Sequence, residues 1–466
     1  MKLKKVELTQ FRCFEHVSVQ LRPDVTVIVG ANAAGKTSIL DGIALGLQQF
    51  VQILGGLSKK KARTGVTSLQ PSDIMVTSTS KDQVKARKDF VLLRVEANDY
   101  YGVENFPTKT ESGELRALEW ADYLRFTPPN RFTQDSKGST GMPELRGYFS
   151  ALWGEVRKSS PTTLIPFPVV GYYRASRRVE GMPHLGNILS VNPSRSDAYQ
   201  GALNAGANFG SMCQWFYVRE NDELRKRAKK AQGENVEFMD LKAARAAIKA
   251  TMPRVESVYF DGNPPKLTVD FSQQDGTAKP LELEELSDGY RSMLAMVLDF
   301  ARRLALAHPN WPNPLEAPGI LMIDEIELHL HPRWQQEVIP SLRRVFPNTQ
   351  LILTTHSPQV LSTVQREHIL VLGSEHRLES LPPTVGTYGA ENSRVIAEVL
   401  GVSPRPQNVN TVALLSKYLA MVEEDKAESK KGLQLRKELD DQLGKFDPDL
   451  MAADLRIDQR KASGDE

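Results

Sequence analysis

Two groups of residues in this 466-residue chain have types and spacing suited to joint chemistry. The first is Gly30-Ala31-Asn32-Ala33-Ala34-Gly35-Lys36-Thr37, which fits G-x-x-x-x-G-K-[ST]. It follows the apolar run Val25 to Val29 and precedes a stretch that reads as a helix from Lys36 to Gln49. Strand, glycine-rich loop and helix are the context this motif needs. Backbone N–H groups of such a loop and helix N-terminus point at phosphate oxygens. Lys36 would reach the β- and γ-phosphates, and Thr37 would place its hydroxyl on magnesium. Asn32, Ala33, Ala34 and Ser38 complete the expected contact set. The second group is Gly319-Ile320-Leu321-Met322-Ile323-Asp324-Glu325, an apolar strand ending in two carboxylates. Asp324 could hold the magnesium directly or through water, and Glu325 could polarise an attacking water. Two acids after a core strand are ordinary on their own; with a phosphate loop in the same chain they point to ATP, Mg2+ and hydrolysis to ADP and phosphate.

The elements that must carry these groups read as follows. Strands are expected at Leu3 to Phe11, Val17 to Leu21 and Val25 to Val29, then at Phe90 to Tyr101 and Leu115 to Phe126 as a hairpin. A helix near Glu144 to Arg157 precedes an apolar strand from Leu164 to Tyr173. Gln200 to Ala250 reads as mostly helical. Strands at Val255 to Phe260 and Lys266 to Phe271 lead to a helix starting at Ser287. Buried strands at Ile320 to Ile323, Gln350 to Thr354 and Ile369 to Leu372 alternate with a helix from Pro332 to Val345, which opens on proline. This alternation predicts an α/β fold. Four segments are expected: 1–181 and 255–403 as two lobes of one head, 182–254 as an inserted helical subdomain, and 404–466 as a charged helical tail.

Composition excludes other classes. Apolar content is 40% and charged content 25%, ordinary for a globular chain. A net charge of +2 argues against a globally basic nucleic-acid binder while leaving local patches open. Lys59-Lys60-Lys61-Ala62-Arg63 and Arg225 to Lys230 are such patches; a solvated surface is the simpler reading of each. The two cysteines, Cys13 and Cys213, supply neither a disulfide framework nor a metal-ligand spacing. With no signal-peptide run and no apolar stretch of membrane-spanning length, a cytoplasmic protein is expected.

Further motifs narrow the class. Leu286-Ser287-Asp288-Gly289-Tyr290-Arg291 resembles the signature motif of ABC-type ATPases, usually written LSGGQ; Ser287 and Gly289 match, while Asp288 and Tyr290 depart from it. Thr354-Thr355-His356-Ser357 resembles the family's switch-histidine strand, and His329-Leu330-His331-Pro332 lies where the family has its dimer-contact loop. Leu8-Thr9-Gln10-Phe11-Arg12-Cys13-Phe14 resembles the opening of RecF, SMC and OLD-type ATPases, which makes Arg12 a candidate nucleotide contact. Ala33 stands where that group often has glycine. The resemblance implies an ABC-type head with a P-loop, a mixed sheet and an antiparallel β subdomain. It also implies that Ser287, Asp288 and Gly289 of one copy complete the phosphate site of another, with His356 sensing the γ-phosphate beside Glu325. A homodimer or an assembly of dimers follows. Gln70 and Asp73 are weak candidates for the family's glutamine loop.

The stretch between loop and signature lacks sustained heptads, so an SMC protein is not expected. The strand Phe167 to Arg174, continuing to Arg177-Arg178, resembles one in stand-alone ABC-like ATPases of bacterial defence islands. OLD nucleases carry a Toprim domain, but Asp447-Pro448-Asp449 lies in a polar helical tail and reads as solvated. Nuclease activity is therefore not expected in this chain. The pattern is most similar to the ATPase subunit (PtuA) of Septu antiphage defence and its retron-associated relatives, which implies a partner HNH nuclease and possible DNA contact. A RecF-like repair clamp without a nuclease partner, and an ATP subunit of a transporter, are the competing readings.

Overall fold

A computed structural model describes residues 1–56, 69–78, 85–103, 106–110, 113–128, 131–134, 139–158, 163–175, 194–204, 209–229, 236–273 and 275–464. Lys59 to Arg63, Arg177, Arg178 and the expected boundary near 182 lie outside the described residues. The chain divides into two compact units, Met1–Asn392 and Ser393–Glu466. This division falls ahead of the expected tail boundary at 404.

The first unit is organised by a six-stranded sheet. Its order is Leu378–Ser380, Ile369–Leu372, Val25–Gly30, Thr349–Thr354, Gly319–Ile323 and Val169–Tyr173. All neighbours pair in parallel except the edge strand Leu378–Ser380. The four strands nearest the acidic turn are covered on both faces, which explains their unbroken apolar and β-branched runs. Because these strands run the same way, Gly30, Tyr173, Ile323 and Thr354 all end on one edge. Ligand sites of parallel sheets collect at that edge.

A five-stranded antiparallel sheet stands beside it, in the order Phe14–Gln20, Lys2–Phe11, Phe90–Asn98, Leu118–Thr127 and Arg131–Gln134. The buried Gln350 side chain joins the two sheets, accepting from the Leu3 N–H (2.8 Å) and donating to the Leu3 and Arg22 carbonyls (2.7 Å each). A third sheet, Val255–Asp261, Lys266–Ser272 and Ala278–Glu282, leads into the helix Asp288–Ala307, with Ser287 as its N-cap. Helices Phe209–Lys229 and Met239–Thr251 pack on that signature helix.

Some elements differ from expectation for physical reasons. Pro166 and Pro168 lack the N–H a strand needs, so the strand begins at Val169 rather than Leu164. Ala278–Glu282 carries no strand signal in the sequence because it is an exposed edge containing Pro280, without apolar alternation. The cradle helix ends at Gly46, and a separate helix runs Gln48–Gly56.

The signature helix is anchored by a buried charge cluster. Asp299 accepts from Arg302 Nη2 (2.7 Å), Arg303 Nε (2.9 Å) and the Tyr173 hydroxyl (2.9 Å). All three charged side chains are buried. Removing one partner of such a cluster strands the others in low dielectric. Asp299→Ala is therefore expected to lower the unfolding free energy by about 3–5 kcal/mol, read from urea melts. A loss under about 1 kcal/mol would show that the two guanidinium groups find other partners.

The second unit contains helices Asn410–Glu423, Lys430–Leu443 and Pro448–Gly464 around a core of Leu415, Tyr418, Val422, Leu439 and Leu450. The expected solvated pair Asp447 and Asp449 is instead tied to Arg405, at 2.7 Å each. The Asp447 side chain is only 10% exposed. Burial pushes its pKa up, but the hydrogen bond and charge of Arg405 and the Asp449 and Leu450 N–H groups together outweigh that, so the net shift is downward.

Candidate functional site

The phosphate loop leaves the cradle strand at Gly30 and enters the helix at Lys36, with Gly35 as N-cap and no side chain bonded to the helix N-terminus. Gly35 has φ +111°, and a Cβ there would lie 2.7 Å from Phe14 and 2.8 Å from the Cys13 sulfur. Only glycine fits that approach. Lys36 is buried, and its ammonium donates to the carbonyls of Gly30 (3.0 Å) and Ala31 (2.9 Å). Desolvation lowers its pKa, against the pull of Asp324, Glu325 and Glu327.

Ala33 has φ +63°. Left-handed backbone costs a non-glycine residue about 1–2 kcal/mol. Glycine relieves that cost but loses about 0.4–1 kcal/mol through its freer unfolded chain. Ala33→Gly should thus stabilise the protein by roughly 0.5–1 kcal/mol in denaturant melts. Destabilisation would show that the loop does not rest in this conformation.

Three distant segments meet at one carboxylate. Asp324 accepts from the Thr37 hydroxyl (2.8 Å) through one oxygen and from the Thr354 hydroxyl (2.6 Å) through the other. The Thr354 hydroxyl in turn accepts from the Glu325 N–H (2.8 Å). The Asp324 N–H donates to the Tyr173 carbonyl (2.9 Å), placing the carboxylate off the sheet edge. Glu325 is partly exposed and has φ +49°, so the chain turns sharply between the two acids. His356 follows the Thr349–Thr354 strand. Desolvation lowers its pKa, Lys36 adds to this, and Glu327, Glu325 and Asp324 oppose it.

The oxygens of Thr37 and Asp324 converge, and the buried Lys36 ammonium is bonded among the described residues to loop carbonyls alone. This donor set fits a magnesium–phosphate group: Thr37 and Asp324 would hold the ion, and Lys36 would turn from its carbonyls to the phosphate.

Arg12 is placed differently from a free nucleotide contact. Its guanidinium pairs with Asp41 of the cradle helix (2.5 Å) and with Asp73 (3.0 Å). Arg174 and the Tyr172 hydroxyl also bond Asp41. Burial pushes the Asp41 carboxyl up, but these hydrogen bonds outweigh it, leaving the pKa below the usual carboxylate value. Gln70 is exposed and caps the short turn Pro71–Asp73.

The signature residues stand apart from the cradle. Ser287 and Asp288 are exposed, and Asp288 pairs with Arg291. No hydrogen bond or ion pair among the described residues joins them to residues 30–38. Gly289 lies against the loop His329 to Pro332: a Cβ there would meet the His329 carbonyl at 2.3 Å. The His331 ring caps the helix Pro332–Val345 through the Arg333 N–H (3.3 Å). Among the described residues no three His, Cys, Asp or Glu side chains group to hold a metal ion by themselves. No described helix is long and apolar enough to cross a membrane.

No sequence motif assigns a role to Asp41, Thr354 or Glu327. Thr354 lay inside the quoted switch motif, and Asp41 is the lone acid of an apolar helix; neither signal names a partner.

Fold and site together resemble those of ABC-like ATPases. Residues 187–362 match the family described as "AAA domain, putative AbiEii toxin, Type IV TA system", and residues 1–96 match the "AAA ATPase domain" family. The chain is similar over nearly its full length to two retron ATPases. One is the Retron Ec83 probable ATPase of Escherichia coli, at 25% identity over 99% of this chain and 87% of that one. The other is the Retron Vc95 probable ATPase of Vibrio cholerae, at 24% identity over 94% and 86%. A shorter stretch, 21% of this chain and 13% of the relative, is 40% identical to the Septu protein PtuA of Bacillus mycoides. Among solved structures, an SMC head bound to a ScpA domain aligns over 82% of this chain with a TM-score of 0.45 and 18% identity.

Proposed function

We propose that this chain binds and hydrolyses ATP with Mg2+ in sites completed by a second copy, and that the resulting assembly controls a partner HNH nuclease in antiphage defence in the cytoplasm. The observation that carries the ATPase part is the hydrogen-bond chain from Thr37 through Asp324 to Thr354 and Glu325. It draws three motifs into one ring around a single carboxylate.

In this reading the backbone of Gly30, Asn32, Ala33, Ala34 and Gly35 wraps the phosphates, and the free N–H groups of Lys36, Thr37 and Ser38 face them. Lys36 binds the β- and γ-phosphates; Thr37 and Asp324 hold the ion. Magnesium, when bound, supplies positive charge against the phosphate oxygens. Glu325 orients the attacking water and takes its proton, and His356 contacts the γ-phosphate. Arg12 acts on the nucleotide through the cradle helix, because its guanidinium is bonded to Asp41 and Asp73. Ser287, Asp288 and Gly289 reach the phosphates of the other copy. Exposure of the signature helix N-terminus supports that sharing.

The similarity to retron and Septu proteins supports the defence role. Coexpression with the product of the adjacent gene tests it. An ATP-sensitive nuclease complex is expected. A permease neighbour, or no complex, overturns the partner assignment, and ATP-dependent DNA binding by the chain alone would favour a RecF-type clamp.

A further inference from the structure

We propose that Glu327 is a positioning residue for the ATPase reaction, a two-pronged brace that sets the switch-histidine loop relative to the acidic turn. This rests on the ATPase reading above and adds a residue to it. Glu327 lies three positions beyond Asp324, in the tight turn where the Leu328 N–H donates to the Glu325 carbonyl (3.0 Å) and the Leu330 N–H to that of Glu327 (2.9 Å). One carboxylate oxygen accepts from the Thr355 hydroxyl (2.7 Å), the other from the His356 backbone N–H (2.6 Å). The Thr355 oxygen also accepts from the Ser357 N–H (3.0 Å), so three consecutive residues hang on one side chain.

The charge makes this arrangement informative. Glu327 stands close enough to Asp324 and Glu325 for all three to act on Lys36 and His356. A third carboxylate there repels the other two and an incoming phosphate. Glu327 forms no ion pair among the described residues; its oxygens engage neutral donors of one loop. Ionised acceptors make shorter and stronger hydrogen bonds than neutral ones. The arrangement therefore favours rigidity of the His356 loop over electrostatic ease. Asp324 meets the same strand one residue earlier, through Thr354. Turn and switch strand are thus locked at two successive points, and His356 keeps its place relative to Glu325.

The test uses the full-length chain. Glu327→Ala is expected to lower kcat about 10- to 100-fold through misplacement of the loop, with KM for ATP little changed. Glu327→Gln should lose far less: its carbonyl can accept from the His356 N–H while its amide donates to the Thr355 hydroxyl, which accepts as readily as it donates. Hydrogen exchange resolved to the His356 amide should speed up in Glu327→Ala and stay slow in Glu327→Gln. In a His356→Ala background, Glu327→Ala should add little, because both act on one element. The proposal is overturned if Glu327→Ala costs the same factor with and without His356, if Glu327→Gln is as damaging as alanine, or if exchange at His356 is unchanged. Should Glu327→Ala not fold, Glu327→Gln and Thr355→Val decide between these outcomes through the same exchange and kcat readings. Hydrolysis that survives Lys36→Ala would sink the ATPase reading instead, and the exchange experiment still judges the brace.

Discussion

Lys36→Ala is expected to take ATP hydrolysis to background, a fall of about 10³-fold or more in kcat/KM, and to remove most nucleotide affinity. The expectation follows from where the ammonium sits. Lys36 is 7% exposed and bonded to two loop carbonyls. A buried cation held by neutral carbonyls can turn to a phosphate without breaking an ion pair. Its truncation also removes a cation that offsets the charge of Asp324, Glu325 and Glu327, so binding and turnover fall together. Titration with a fluorescent nucleotide and a phosphate-release assay measure the two effects. Undiminished hydrolysis would mean that turnover does not depend on this loop.

Glu325→Gln should separate the effects that Lys36→Ala joins. Loss of a general base costs about 10²–10⁴-fold in rate, while a carboxamide of the same shape leaves ATP binding intact. The backbone at Glu325 is set by its N–H bond to Thr354 and by φ +49°, neither of which depends on the side-chain charge. The variant should therefore accumulate ATP-bound protein, seen as retained nucleotide after desalting. If the signature helix caps a second copy, sedimentation should also show a larger species in ATP. Normal turnover would remove Glu325 from the role and leave Glu327 as the next carboxylate on that turn.

Much of the head was legible in the sequence because its signals are local. The P-loop carries its own context of strand, glycines and helix. Pro332 marks a helix start, and the runs Ile320 to Ile323 and Ile369 to Leu372 read as buried strands because nothing polar interrupts them. The exposed edge strands Leu378–Ser380 and Ala278–Glu282 carry no such periodic signal. Arg12 illustrates the limit at the site. Its motif suggested a nucleotide contact, but the partners that hold its guanidinium, Asp41 and Asp73, lie on two other segments.

By itself, the sequence determined which motifs this protein carries: a phosphate-loop pattern, an acidic strand end, and stretches resembling a signature and a switch-histidine strand, each written in neighbouring residues. The tertiary structure alone decided which of these share a site. Thr37 and Asp324 are 287 positions apart, yet they are hydrogen-bonded because two parallel strands end on one edge of one sheet. Ser287 belongs to the same unit but is exposed, with no hydrogen bond or ion pair to the cradle among the described residues. The brace from Glu327 to His356 is of the same kind. A hydrogen bond depends on position and direction in space, and spacing along the chain encodes neither until the sheet brings its strands into register.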